Sequence, residues 1–209
     1  MPVLGIAINL RNVSDLMAIA DPQFARATVL RLLEIEVQLW RIELEAIAQA
    51  KSRWRQILSA DELARADRFH FVGDRQNFTA TCALLRMLLS QYLGCPPETV
   101  TFTYGEREKS VLHASHSGAG LHFNVSHSGT KALLAFAHAR EMGVDVEQVR
   151  DNFDLEARRF FLPAERQALA DLPSSEKCKG FFRAGREKKP TLRHTALDYL
   201  CLSMHPMCL

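Results

Sequence analysis

Apolar positions recur along this chain at two different periods, and the change of period marks out its elements. Between Val37 and Leu44 the run VQLWRIEL alternates well enough for a strand, and an Ala-rich helix is expected from about Ala46. Ser59 followed three residues later by Glu62 makes a capping box, starting a helix that runs toward Arg68 and Phe69. From Asp74 the period lengthens, and Phe78, Cys82, Leu85, Leu89 and Tyr92 fall on one helical stripe closed by Gly94, Pro96 and Pro97. Four short β-rich runs follow: TVTFTY, LHFNVS, KALLAFAHA and MGVDVEQV. Two of these, centred on Phe136 and Val146, are apolar enough to lie inside a sheet. DLEARRFF and PAERQALADL then predict helices, the second with Pro163 in its first turn. Residues 1–34 show helical stretches without a clear face. Strands and helices are mixed, so the class is α+β or α/β.

Composition narrows the setting. With 209 residues, 47% hydrophobic and 24% charged, the chain can bury one large core or two small ones. Five cysteines without a CxxC pair give no disulfide framework and no zinc ribbon, which points to a reducing cytoplasm. No run approaches the roughly 18 apolar residues of a membrane helix, and the N-terminus lacks the basic lead-in of a signal peptide. Charge is unevenly spread. Of 26 basic and 24 acidic residues, seven basic and two acidic fall from Lys177 onward, leaving nineteen and twenty-two before it. The tail is compositionally foreign to the rest.

The run GVDVE, Gly143 to Glu147, carries the first hint of chemistry. In a strand Asp145 and Glu147 point the same way, while Val144 and Val146 point the other. Two neighbouring carboxylates repel unless a cation or a hydrogen-bond network lies between them, and a hard divalent ion answers that need. His113, His116, His122 and His127 also cluster in sequence, but zinc usually recruits cysteine or a helical HExxH, and neither is nearby.

FNVSHSG (Phe123 to Gly129), then a strand, then GVDVE resembles the paired signature of the 4'-phosphopantetheinyl transferase superfamily, of the surfactin-synthetase-activating type. Upstream, LSADELARADRFHF, DRQNFTATCALLRMLLSQYLG and TFTYGEREK match that family's first half in order and spacing, so that the likeness covers roughly Val37 to Phe182. The resemblance implies an α+β fold of two similar α/β subdomains related by a pseudo-two-fold axis. It also implies transfer of 4'-phosphopantetheine from coenzyme A to a serine of an acyl, peptidyl or aryl carrier protein, with Mg²⁺ required. Carried over by position, Asp145 and Glu147 resemble the metal-binding pair. Ser126 and His127 match a pair that meets the phosphates of coenzyme A, Lys109 a lysine near the nucleotide, and Arg65 a basic residue facing the 3'-phosphate. Lys109 lacks the usual Gly-Lys-Pro setting, having Glu108 and Ser110 as neighbours, and Asn77 falls where a basic residue is common. A monomer without nucleic-acid or membrane partners is expected.

The family's third signature, an aromatic residue followed after two spacers by Lys-Glu, begins at Phe181 and Phe182 and then fails. Gly185 stands where tryptophan belongs, and Pro190 would break the helix that should follow. Restoring one nucleotide before the codon for Gly185 gives, with permissible codons, a frame opening Trp-Thr-Arg-Glu-Lys, so the tail is expected to be out of frame. The organisation this implies is an N-terminal extension over 1–34, a first subdomain over 35–138, the start of an incomplete second over 139–184 and a non-family tail over 185–209. Impaired activity is the corresponding expectation, with Glu187 the only acid near the lost motif. A non-catalytic module that holds coenzyme A or a carrier protein is the alternative.

Overall fold

The computed structural model describes residues 7–12, 30–45, 51–104, 110–146, 161–173, 176–177, 180 and 198–201. Strands β1 (Ala7–Asn12), β2 (Glu36–Glu43), β5 (Leu121–Ser128) and β6 (Lys131–His138) form a four-stranded sheet in the order β1-β2-β6-β5. β1 runs parallel to β2, and the other two neighbouring pairs are antiparallel. Two further two-stranded sheets pair β3 (Phe102–Tyr104) with β4 (Ser110–Leu112), and β7 (Met142–Asp145) with β8 (Asp198–Cys201). Helices α1 (Lys51–Ile57), α2 (Ala60–Asp67), α3 (Val72–Leu93) and α4 (Pro163–Ala170) complete the described elements with 3-10 turns at Pro97–Thr99 and Ala114–Ala119.

Central strands covered on both faces need apolar residues on both, and between their ends β6 is built that way throughout, while β2 follows the pattern except at Gln38 and Arg41. On one face Trp40, Ile42, Ala132, Leu134 and Phe136 pack against Ala80, Ala83, Leu84 and Leu88 of α3. On the other, Val37, Leu39, Leu133, Ala135 and Ala137 pack with Met142, Val144 and Val146 at β7. The α3 face also buries polar groups that pair with one another. Trp40 Nε1–H donates to the Tyr92 hydroxyl at 3.3 Å, and that hydroxyl donates to Gln38 Oε1 at 2.6 Å.

The α2 start follows the capping-box expectation. Glu62 accepts the Ser59 backbone N–H at 2.9 Å and, buried, also accepts Arg86 Nε–H at 2.7 Å. The Arg86 guanidinium continues to the carbonyls of Pro97 and Val100 at 3.1 and 2.8 Å, which fixes α2, α3 and the following turn to one another. α3 ends where expected, at Gly94, whose φ of 66° lies in the left-handed region that terminates helices.

The N-terminal stretch differs from its expectation. Residues 7–12 are a strand, because Ile8 and Leu10 alternate with Asn9 and Arg11 and the backbone of β2 offers an open edge for parallel pairing. β4 and the two 3-10 turns likewise carry no sequence signal that predicts them. The helix expected from Ala46 lies partly outside the described residues, as does DLEARRFF, of which only Phe161 is described, and so do the parts needed to compare two halves of the chain.

Candidate active site

β5 decides how the candidate residues are shared out. Cross-strand partners point to the same face, and in the β5–β6 register His127 lies opposite Ala132 on the α3 face while Ser126 lies opposite Leu133 on the β7 face. The Ser126–His127 pair is therefore adjacent in sequence and divided in space.

On the α3 face His127 lines a cavity of about 210 Å³ together with Arg65 of α2, Phe78 and Cys82 of α3, Tyr104 of β3 and Phe123 of β5. The Arg65 guanidinium sits 5.7 Å from the Phe78 ring centre and 5.7 Å from that of Tyr104, so two aromatic faces hold one cation at the cavity wall. The Tyr104 hydroxyl donates to the Asp61 carboxylate. Burial, and after it the Asp61 hydrogen bond, pushes the Tyr104 phenol up to about 12. Burial also pushes the Asp61 carboxyl upward, but hydrogen bonds from Ser59, Tyr104 and the backbone outweigh it and hold the group below its usual value. The Cys82 thiol is driven to about 12, first by burial and then by the Glu62 charge, which removes it as a nucleophile at neutral pH.

On the β7 face Asp145 is half-buried beside Ser126. The Ser126 hydroxyl donates to Asp145 Oδ1 at 3.2 Å and accepts the Val146 N–H at 3.1 Å, while Asn124 Oδ1 accepts the Val144 N–H at 2.9 Å. Lys109 and Glu147 lie outside the described residues. Asn77 donates from Nδ2 to the Gly129 carbonyl at 3.0 Å, tying α3 to the β5–β6 turn. His116 Nε2 accepts the Thr101 N–H at 3.3 Å, and among the described residues no group of three or more His, Cys, Asp or Glu could hold a metal.

A magnesium ion asks for less than such a group. It commonly takes one or two protein carboxylates and leaves its remaining positions to phosphate oxygens and water. Asp145, oriented by a serine hydroxyl at the mouth of β5, fits that demand, and Glu147 two residues on supplies the same donor type. The sequence motifs give no role to two contributors to the site: Tyr104, which lies inside the TFTYGEREK run, and Asn124, whose spacing of two from Ser126 places both on one face.

The family described as 4'-phosphopantetheinyl transferase, N-terminal, matches residues 40–139, the stretch that builds the cavity. The 4'-phosphopantetheinyl transferase HetI of Nostoc sp. is 44% identical over 168 residues, 79% of this chain and 71% of that protein. The slr0495 protein of Synechocystis sp., provisionally named a 4'-phosphopantetheinyl transferase, is 33% identical over 68% of this chain and 58% of its own length. The 4'-phosphopantetheinyl transferase psf-1 of Bacillus pumilus is 26% identical, with 76% and 69% covered. The chain belongs to the 4'-phosphopantetheinyl transferase family.

Proposed function

We propose that this protein moves the 4'-phosphopantetheine of coenzyme A onto a serine hydroxyl of an acyl, peptidyl or aryl carrier protein. The observation that carries the reading is the placement of Arg65 and His127 on one cavity at the end of the strand that also orients Asp145. Arg65, held by two rings, is a pre-positioned cation for a phosphate of coenzyme A, and the His127 imidazole adds a donor on the same wall. Asp145 and Glu147 would hold Mg²⁺, which when bound neutralises charge on the pyrophosphate and the leaving adenosine 3',5'-bisphosphate. The serine oxygen forms a bond to the pantetheine-bearing phosphorus as the bond to the leaving bisphosphate breaks, and the serine proton departs to a base.

The resemblance implies a glutamate in the third signature that completes the metal site or acts as the base on the carrier serine, and that signature departs at Gly185 and Pro190, so low turnover is expected. The reading is tested by incubating the full chain with a fluorescent coenzyme A, a purified carrier protein and Mg²⁺. Slow, Mg²⁺-dependent labelling is expected, with Arg65→Ala raising KM for coenzyme A by about 10-fold or more, the size of one charge-assisted hydrogen bond. Labelling that ignores both Mg²⁺ and Arg65→Ala would refute it, while coenzyme A binding without transfer would identify a module that only holds its ligand.

A further inference from the structure

Among the described residues β7 has no backbone ladder to the main sheet and pairs with β8 alone, in a separate sheet, yet its Val144 lies in the core built on β2 and β6, with Val146 just beyond the strand. What bonds it to β5 is a pair of side chains at a spacing of two, Asn124 and Ser126, meeting backbone N–H groups at the same spacing, Val144 and Val146. The residue between those two N–H groups is Asp145, and Ser126 grips it as well.

We propose that Asn124 and Ser126 are positioning residues for Asp145: they seat β7 by its amides, and Ser126 fixes the carboxylate that receives the divalent cation, instead of contacting the phosphates of coenzyme A. This rests on the metal role given to Asp145 above. A serine hydroxyl has one proton to donate. With that proton on Asp145 and one lone pair taken by Val146 N–H, the hydroxyl keeps only acceptor capacity, which a phosphate oxygen does not satisfy. His127, on the opposite face, is left as the donor of the pair that faces the cavity.

Three Ser126 variants of the full chain separate the alternatives. Ser126→Ala deletes the hydroxyl, Ser126→Cys keeps the volume but bonds weakly, and Ser126→Thr keeps the hydroxyl. The first readout is the Mg²⁺ concentration giving half of the thermal stabilisation seen with saturating coenzyme A. The second is affinity for adenosine 3',5'-bisphosphate in the presence of a chelator. Ser126→Ala and Ser126→Cys are expected to raise the Mg²⁺ midpoint about 10- to 100-fold, the usual effect of removing a partner behind a metal ligand. Bisphosphate affinity should stay unchanged, and Ser126→Thr should restore the midpoint. Asn124→Ala, which leaves Asp145 and its hydroxyl partner in place, should shift the midpoint in the same direction. An unchanged midpoint, or weakened bisphosphate binding in the chelator, overturns the inference while leaving the metal role of Asp145 intact. An unaltered protein with no Mg²⁺ response at all overturns both.

Discussion

Glu62 serves two partners from a buried position, closing the cap of α2 and neutralising Arg86. Removing one member of such a pair strands the other in a poor solvent, so Arg86→Met should cost about 3–5 kcal/mol, read from the denaturant midpoint. Replacing both residues by apolar ones of similar volume should recover much of that loss, since the desolvation of two charges disappears with them. The cap was legible in the sequence from its spacing, but the ion pair was not, because Arg86 lies twenty-four residues along and only the α2–α3 packing brings it back. The division of Ser126 from His127 was within reach. Strand alternation separates neighbours, and reading the two as one motif concealed it.

Elements were legible in proportion to the length over which their period ran. α3 shows its stripe from Phe78 to Tyr92, about four turns, and ends on Gly94, so both its course and its stop could be read. Gly94→Ala would place a Cβ in the left-handed region at φ 66°, where the surrounding space is open but the backbone is not, and should cost about 1–2 kcal/mol in thermal unfolding. A fall in stability below a few tenths of that would show that the helix end relaxes. β1 is six residues long and β4 three, too short for an alternation to stand out from the surrounding chain, and each exists because a neighbouring strand offers unpaired backbone. Exposure blurs the signal further: Ile8 and Leu10 stand 51% and 50% exposed, so no buried face sets β1 apart. The segment from Asp198 to Cys201, expected to be foreign to the fold, lies parallel to β7 in register with the residues around Asp145.

At the scale of the whole molecule, the Tyr104–Asp61 contact should appear at both ends of the pH range. The Tyr104 phenol is raised to about 12 in the fold, so its contribution is complete below the unfolded value near about 10 and disappears as pH climbs through the folded one. Asp61 works in the opposite sense: its carboxyl is lowered, so its contribution holds above the unfolded value near about 4 and is lost as acid carries the pH through the folded one. The denaturant midpoint should therefore decline between about pH 10 and pH 12, and again below about pH 4, with Tyr104→Phe flattening both declines. Profiles that superimpose for the two proteins would show that the contact does not link cavity and stability. The family and mixed class of the molecule could be read from ordered motifs, whereas the cavity could not, because it is assembled from five elements and shaped by Tyr104, a residue to which the TFTYGEREK run assigns no role.

A strand tied to its neighbour by two side chains is tied there through two codons. Drift at position 124 or 126 lets the acid wander while the four-stranded sheet, whose ladder does not run through β7, keeps its circular-dichroism signature. A chain of this kind would look folded and starve for metal.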